Sequence, residues 1–448
     1  MRPIRLALWG LLGLVTLLWV AADPAALRIA AFFPLRDAMI QWTGLLAVAC
    51  MSVAMILALR PRWPEGWCGG LDKMYRLHKW LGIAALVASV IHWLWTQGPK
   101  WAVGLGWLTR PQRGPRPAID NAVEALLRGQ RGTAEGLGEW AFYAAVALIL
   151  LALVTRFPYR WFFRTHRFLA VSYLVLVFHA AVLTKFTYWS TPLGVVLAGL
   201  LAYGTYAAIV VLLRRVGAAR QVEGTIVALT RYPELRVLET EIAIPEGWPG
   251  HRAGQFAFAM SDASEGAHPY TIASAWHDAD RRITFITKAL GDHTSRLPDR
   301  LRIGQAVRIE GPYGCFTFDD DRPRQIWIGA GIGITPFIAR LKQTARERAA
   351  GASLPPIDLF HPTTDFSDDA IARLTADAER AGVRLHVLHD ARHGRLNGER
   401  IRAAVPDWRE ASLWFCGPAR FGEALRRDFA AQGFPVREHF HQELFAMR

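Results

Sequence analysis

Six long apolar runs fill the first half of this 448-residue chain, and they constrain its fold more than any other feature. Each is about 17–22 residues long, the length that an α-helix needs to cross the hydrocarbon core of a bilayer. The sequence therefore predicts six transmembrane helices, at residues 4–22, 38–59, 77–95, 139–155, 168–184 and 193–213. The first run could instead be a signal peptide, with Arg2 and Arg5 as its charged start, although five further spans come after it.

The charge of the chain is concentrated in the same half. Residues 1–220 contain 23 Lys and Arg against 8 Asp and Glu, whereas the remainder contains 29 against 30, so the formal net charge of +14 accompanies the apolar runs. This distribution favours a lipid bilayer as partner and argues against nucleic acid. Basic residues are more frequent in the connections on the N-terminal side of the membrane. They predict a multi-pass protein of the inner (cell) membrane whose N-terminus and C-terminal half lie in the cytoplasm.

The chain changes character after Arg220. Short β-branched or alternating stretches, punctuated by Gly and Pro, predict a small antiparallel β-barrel with strands at residues 222–229, 236–244, 255–260, 283–287 and 306–310. Strands then alternate with helices, which is typical of a parallel α/β sheet. Those strands are predicted at 325–329, 357–360, 384–388 and 412–416, and the helices at 335–350, 368–381, 398–405 and 419–432. The predicted domains are a membrane domain at 1–215, a barrel domain at 219–322 and an α/β domain at 323–448.

Four histidines lie on or beside two of the apolar runs. His78 and His92 are 14 residues apart on the third span, and His166 and His179 are 13 residues apart on the fifth. Each pair extends roughly 20 Å along its helix, and because both helices run in the same direction, His78 matches His166 in depth and His92 matches His179. An ionisable side chain in a membrane span is by default a functional-site candidate. Two depth-matched pairs predict two stacked haems, each with two axial His ligands.

Other interpretations of these histidines are open. Each could be a packed, hydrogen-bonded residue, and a copper or zinc site is a third possibility, which is weaker because ligands about 20 Å apart on one helix cannot share one ion. The 13-residue spacing also places His166 and His179 about 140° apart around an ideal helix. The haem prediction therefore requires an irregularity in the fifth span, or a position of His166 at its fraying start.

Two groups of residues in the predicted barrel suit a flavin. His268, Pro269, Tyr270 and Thr271 open a strand, where an aromatic ring can cover a flat flavin face and a hydroxyl can bond to its ring nitrogens; an ordinary strand start is the alternative. About 20 residues later, a glycine turn precedes hydroxyl residues at a helix start, a setting in which backbone N–H groups bind a pyrophosphate. The residues concerned are Lys288, Gly291, His293, Thr294 and Ser295.

Two turns of the α/β region suit a nicotinamide nucleotide. The first strand leads into a helix through the glycine-rich turn of Gly329, Gly331, Gly333, Thr335 and Pro336. Such glycines let the backbone approach a dinucleotide phosphate, although their spacing is not that of the Rossmann fingerprint. The last strand ends at the sheet edge where α/β proteins bind ligands, with Cys416, Gly417 and Pro418. A buried core cysteine is the alternative for Cys416.

The choice between NADPH and NADH is open at this stage. A 2′-phosphate normally meets an Arg after the second α/β strand, and the residues there are acidic or neutral. Thr363 or Thr364, with Arg392 or Arg395, could substitute for that arginine.

The order of these motifs along the chain resembles that in one known group of proteins. The motifs are the histidine pairs, residues 268–271, the turn at 329–336, residues 415–418 and the tail at 440–445. The chain is similar to the ferric reductase / NADPH oxidase superfamily of transmembrane flavocytochromes, most closely to its bacterial members. The resemblance implies two b-type haems, FAD and NADPH or NADH as electron donor. It assigns His78 and His166 to the inner haem, and His92 and His179 to the outer one.

The same resemblance implies roles in the C-terminal half. Tyr270 and Thr271 would hold the isoalloxazine, and residues 291–295 the FAD pyrophosphate. The nicotinamide nucleotide would meet Gly331, Gly333 and Thr335, with Cys416 near the nicotinamide. Phe445 would cover the flavin where the nicotinamide enters.

The implied activity is electron transfer from cytosolic NAD(P)H through FAD and two haems to an acceptor on the outer face. A ferric chelate and O2, which would give superoxide, are both open, and a membrane subunit donating to a periplasmic partner protein is the alternative. The outer loop at 96–138 could attract ferric chelates or rest on anionic lipid heads. Its basic residues are Lys100, Arg110, Arg113, Arg116, Arg128 and Arg131. No EF-hand loop is visible in the sequence, so calcium control is not expected.

Overall fold

The computed structural model describes residues 2–109, 119–154, 157, 159–262 and 265–443. The chain forms two compact units. The first comprises the described residues up to Cys68 and those of Lys73–Val216, and the second comprises Gly69–Asp72 and the described residues from Gly217 onward.

The first unit is helical. Its helices are α1 (Arg2–Ala22), α2 (Phe32–Ala58), α3 (Trp63–Cys68), α4 (Leu71–Gly104), α5 (Ala122–Gly129), α6 (Arg131–Leu153), α7 (Tyr159–His166), α8 (Phe168–Leu183) and α9 (Pro192–Leu212). Within the described part of the chain, six helical segments are long and apolar enough to cross a membrane: α1, α2, α4, α6, the Trp161–Leu183 stretch of α7 and α8, and α9. The six predicted spans are therefore confirmed, and α4 is longer than predicted at both ends.

Helix α2 is the central helix of this unit. Of its most apolar stretch, 61% is buried, against 17–28% in the other spans. It packs against α1 and α9, with Leu45, Val48 and Ala49 meeting Leu193 and Leu197. The outward faces of the other spans remain available to lipid.

The predicted outer loop contains more structure and less free charge than its sequence suggested. Lys100 lies within α4, and α5 begins after Asn121, whose side chain accepts the backbone N–H groups of Val123 and Glu124. Two of its arginines form ion pairs within their own helices, Arg128 with Glu124 at 2.6 Å and Arg131 with Glu135 at 2.8 Å. Arg110, Arg113 and Arg116 lie outside the described residues.

The second unit begins with six strands in one antiparallel sheet. They are β1 (Gln221–Tyr232), β2 (Val237–Ala243), β3 (Phe256–Met260), β4 (His268–Thr271), β5 (Arg282–Lys288) and β6 (Ala306–Tyr313), in the order β4-β3-β6-β1-β2-β5. One isolated antiparallel bridge, between Ile272 and Phe285, connects the chain beyond β4 to β5. The predicted strands are all present, but among the described residues the ladder does not close, so a closed barrel is not confirmed. Helix α10 (Asp292–Arg300) follows β5.

A five-stranded sheet completes the unit. Its strands are β7 (Arg324–Gly329), β8 (Ile357–Thr363), β9 (Arg384–His389), β10 (Ala411–Cys416) and β11 (Phe440–Gln442), ordered β11-β10-β7-β8-β9, and all of these pairs are parallel. The helices between them are α11 (Thr335–Ala349), α12 (Asp368–Ala381), α13 (Asp390–His393), α14 (Gly398–Ala404) and α15 (Ala419–Ala431). Each strand predicted in this region overlaps one of these strands. Strand β11 was not predicted, because three residues are too few to show a period.

Both faces of the parallel sheet are buried. Along β7, Ile326 and Ile328 join one apolar cluster with Phe415, whereas Trp327 joins another with Phe337 on the opposite face. This two-sided burial is the usual consequence of helices crossing over a parallel sheet on both sides. It leaves the carboxyl ends of the strands as the open edge of the sheet, where ligands bind in such folds.

A buried histidine makes the stability of the second unit depend on pH. His251 packs between Trp248 and Trp276, and its Nε2–H donates to the Ser274 carbonyl at 3.0 Å. Burial lowers the pKa of His251 to about 4. Below about pH 6.5 the unfolded chain therefore takes up a proton at this histidine, whereas the folded chain does not. The free energy of unfolding falls as the pH decreases from 6.5 toward 4, by at most about 1.4 kcal/mol per pH unit.

We expect the His251→Gln variant to lose less thermal stability than the natural chain between pH 7 and pH 5. The measurement is the unfolding temperature of the full chain in detergent across this range. His277→Gln is the matched control, because that side chain is 52% exposed. Identical pH dependence in the natural chain and His251→Gln would contradict the prediction.

Candidate functional site

The four membrane histidines come together as two pairs. His78 of α4 and His166 at the end of α7 have ring centres 5.9 Å apart, with their planes at 62°. His92 of α4 and His179 of α8 have ring centres 6.2 Å apart, with their planes at 79°. Two imidazoles that bind one metal ion from opposite sides have ring centres roughly 6 Å apart, since each metal–nitrogen bond is about 2 Å long. Both separations fit a shared metal ion.

A break between two helices lets His166 meet its partner. Helix α7 ends at His166, Arg167 is a single turn residue, and α8 begins at Phe168. The irregularity required by the 13-residue spacing is therefore present beside His166. On a continuous helix, this residue would lie on a different face from His179.

Backbone carbonyls determine which ring nitrogen carries the proton. The Nδ1 atoms of His78, His92 and His179 lie 2.9, 2.9 and 2.8 Å from the carbonyl oxygens of Ala54, Ile40 and Ala134, respectively. A carbonyl oxygen only accepts hydrogen bonds, so each Nδ1 is the N–H donor. The Nε2 atoms of these three rings therefore keep the lone pair that a metal ligand requires, in the arrangement usual for metal-bound histidines.

Two glycines make room for the second pair. A Cβ atom on Gly44 would lie 3.1 Å from Cε1 of His92, and one on Gly138 would lie only 1.9 Å from Nδ1 of His179. These positions tolerate no larger residue without displacing the imidazoles. Ring separation, tautomer and space thus all fit histidine-ligated haem iron in this unit.

The predicted flavin residues form a hydrogen-bonded cluster. The hydroxyl of Tyr270 and Nε2 of His293 are hydrogen bonded at 3.0 Å, and the ring of His293 stacks on His268 with centres 3.7 Å apart. Glu265 Oε2 lies 3.7 Å from Nδ1 of His293 and also faces Arg300. Burial, with a further contribution from His293, lowers the pKa of His268 to about 4, so this ring is neutral at pH 7. Strand β4 thus presents Tyr270 beside the first turn of α10.

Two residues predicted for the pyrophosphate have structural partners. The Thr294 hydroxyl accepts the backbone N–H groups of Leu290 and Gly291 at 3.0 and 3.2 Å, which caps α10. Lys288 forms an ion pair with Asp365. Ser295 is exposed on α10. The glycine turn and the helix start predicted from the sequence are present, whereas the extra positive charge expected from Lys288 is neutralised by Asp365.

The glycine-rich turn after β7 requires glycine for steric reasons. Gly331 has a positive φ of 55° and begins a 3₁₀ turn, Gly331–Ile334. A Cβ on Gly333 would lie 2.2 Å from the Cys416 carbonyl oxygen. Thr335 and Pro336 then begin α11, with the Thr335 hydroxyl donating to the Ile332 carbonyl at 2.8 Å.

Cys416 lies beside this turn but its thiol is not open to solvent. It pairs in register with Gly329, and the side chain is fully buried in an apolar cluster. Burial, and then the carboxylate of Glu443, raise the pKa of the Cys416 thiol well above its usual range. Gly417 follows with a φ of 157°, and Pro418 precedes α15. Cys416 is therefore a neutral thiol at the carboxyl edge of the sheet. Phe445 lies outside the described residues.

Comparison with known proteins agrees with this two-part architecture. Residues 43–177 match the family described as ferric reductase like transmembrane component, a range that includes His78, His92 and His166. An NADPH oxidoreductase of Mycobacterium tuberculosis is 28% identical over 243 residues, covering 51% of this chain and 61% of that protein. A flavohemoprotein of a Burkholderia species is 27% identical over 188 residues, covering 40% of this chain and 46% of that protein. The chain thus spans about half the length of these relatives.

Solved structures include more distant matches. A cytochrome P450 reductase from Amycolatopsis superposes with a TM-score of 0.43 at 24% identity, covering 50% of this chain and 70% of that one. The family match and the reductase relatives together confirm the predicted resemblance to the ferric reductase / NADPH oxidase superfamily. With its six spans, the chain is a multi-pass membrane protein.

Proposed function

We propose that this chain is a transmembrane oxidoreductase that moves electrons from cytosolic NAD(P)H through FAD and two b-type haems to an acceptor on the outer face, either a ferric chelate or O2. The histidine pairs, with ring centres 5.9 and 6.2 Å apart at two depths of one bundle, are the observation that carries the proposal. The match to the ferric reductase family and the reductase relatives support it.

The membrane residues have one task in this scheme, which is to hold iron. His78 and His166 would ligate the inner haem, and His92 and His179 the outer one. The carbonyls of Ala54, Ile40 and Ala134 keep three of these rings in the ligand tautomer. When bound, the flavin accepts a hydride and releases electrons singly, and the haem irons carry one electron at a time.

The flavin would bind at β4 and the start of α10. Tyr270 and Thr271 would hold the isoalloxazine, and His293 orients the Tyr270 hydroxyl through their 3.0 Å hydrogen bond. Gly291 and the backbone of the first turn of α10 would meet the pyrophosphate, because helix N-termini favour anions. His268, neutral at pH 7, adds no charge to this site.

The nicotinamide nucleotide would bind at the carboxyl edge of the parallel sheet. Gly329, Gly331 and Gly333 let the backbone approach its phosphates, and Cys416 would lie near the nicotinamide. We favour NADPH because the exposed Arg392, whose guanidinium lies 5.3 Å from the ring centre of Phe366 just beyond the end of β8, would meet a 2′-phosphate there. The name of the mycobacterial relative is in line with this choice.

The direct test is superoxide production by the purified, haem-loaded protein with FAD and NADPH in air, read as dismutase-sensitive reduction of cytochrome c. Turnover that matches NADPH consumption would identify an oxidase. Haem reduction without superoxide would direct the test to ferric citrate, and if that is not reduced either, to a periplasmic partner protein. Failure to incorporate haem, or failure of NAD(P)H to reduce bound FAD, would overturn the proposal.

A further inference from the structure

A buried histidine that no motif singled out lies at the candidate nucleotide site. His361 is in β8, only 7% of its surface is exposed, and its Nδ1 lies 2.7 Å from the carbonyl oxygen of Gly329 at the end of β7. The carbonyl only accepts hydrogen bonds, so Nδ1 is the donor, and Nε2 carries the lone pair. The ring is thus oriented and its tautomer selected by the neighbouring strand.

His361 lines a cavity of about 130 Å³ within the second unit. The cavity also meets Gly331 and Ile332 of the glycine-rich turn and Thr363 at the end of β8. On its other side lie residues of β2 and β5. Ligands of doubly wound sheets bind outside the carboxyl ends of the strands, and this cavity occupies such a position.

Burial and the neighbouring Lys288 keep the imidazole of His361 neutral, so that it can accept a hydrogen bond. Burial lowers its pKa, the Gly329 carbonyl opposes this, and Lys288 lowers the pKa further. Asp365, a carboxylate lining the same cavity, is already paired with Lys288. The acceptor that His361 offers therefore carries no negative charge.

We propose that His361 positions the bound nucleotide, with its Nε2 accepting a hydrogen bond from a hydroxyl of the adenosine ribose. This inference rests on the proposed function. In dinucleotide-binding sheets, an Asp or Glu beyond the second strand commonly accepts that ribose hydroxyl, and a 2′-phosphate repels such a carboxylate. A neutral imidazole accepts the 3′-hydroxyl, which NADPH retains, without that repulsion.

Two substitutions distinguish the roles of the two ring nitrogens of His361. The amide nitrogen of Asn reaches the position of Nδ1, so His361→Asn keeps a donor for the Gly329 carbonyl and loses the acceptor in the cavity. The longer Gln side chain places its amide near the position of Nε2. We expect His361→Asn to raise the Kd for NADP⁺ about tenfold, equivalent to about 1.4 kcal/mol. His361→Gln should stay within about threefold of the natural chain.

The decisive reagent is 3′-deoxy-NADP⁺, with binding to the full chain in detergent measured by calorimetry. The natural chain should bind this analogue about tenfold more weakly than NADP⁺, because the analogue lacks the 3′-hydroxyl that donates to His361. His361→Asn should bind both nucleotides equally, because the acceptor of that hydrogen bond is already absent. His251→Asn is the matched control, a buried histidine of the same unit whose ring bonds to the Ser274 carbonyl instead. It should bind both nucleotides as the natural chain does.

Equal affinity of the natural chain for both nucleotides would overturn the inference, and this result does not depend on any variant folding. An undiminished preference for NADP⁺ in His361→Asn would also overturn it. Failure of the proposed function gives a different result, since the natural chain would then bind neither NADP⁺ nor NAD⁺. The His361→Asn substitution should also raise the NADPH concentration that gives half-maximal flavin reduction about tenfold, in line with the weaker binding.

Discussion

The His92→Leu variant is expected to lose one of the two proposed haems and the proposed reduction of acceptors on the outer face, while NAD(P)H still reduces the bound FAD. Leu fills a similar volume in an apolar helix but offers no ligand to the iron that His179 would share, 6.2 Å away between ring centres. Haem per chain should fall from two to one, measured from the absorption of extracted haem against protein. Flavin bleaching by NADPH, followed by stopped flow, should keep its rate.

The matched control for this prediction is Ile91→Leu, one residue away on the same helix and on a partly exposed face. It should keep both haems and full outer-face reduction. Two haems in His92→Leu would mean that His92 is not a ligand. Loss of flavin reduction in a folded His92→Leu protein would contradict serial transfer from the soluble half to the membrane half.

The Gly138→Ala variant should lose the same haem, although residue 138 carries no ligand atom. Its new Cβ would lie 1.9 Å from Nδ1 of His179 and 2.7 Å from Cε1, so the ring has to move by more than an ångström. That movement breaks its 2.8 Å hydrogen bond to the Ala134 carbonyl and withdraws it from His92. We expect haem content near one per chain and outer-face reduction lowered at least tenfold.

Helix α6 itself provides the control for this effect. Gly132 and Gly136 lie on the same helix, and a Cβ at either position would meet no atom within 4 Å. Gly136→Ala should therefore keep both haems, and because Ala has the higher helix propensity, it should stabilise the helix slightly. If Gly138→Ala and Gly136→Ala bind haem equally well, the close approach of α6 to His179 has no role in holding the cofactor.

Elements with a long local pattern were predictable from sequence. The apolar runs predicted the spans because burial in a bilayer demands about 20 consecutive apolar residues. The residue count between His78 and His92 predicted a separation in depth because the rise per residue of a helix is constant. The same constancy predicted a break near His166, and the chain has that break between α7 and α8.

Interactions between distant residues were beyond the reach of those patterns. Nothing local to Lys288 shows that Asp365, 77 positions later, neutralises it. Nothing in the sequence assigned His361 a role, because a lone histidine carries no periodic signal. Its interest comes from the Gly329 carbonyl and from the cavity that β8 borders. Closure of the first sheet likewise depends on contacts between strands rather than on any strand alone.

The sequence by itself determined which segments are membrane helices and which are strands, and it placed four histidines at two depths. It could do so because hydropathy and the rise per residue of a helix are local properties of the chain. Only the tertiary structure decided which carbonyl holds each imidazole, which glycines make room for the rings, and which charges are already paired. Most of those features depend on residues 24 to 77 positions apart meeting in space, such as His78 with Ala54 and Lys288 with Asp365. They arise from packing, which a one-dimensional pattern does not encode.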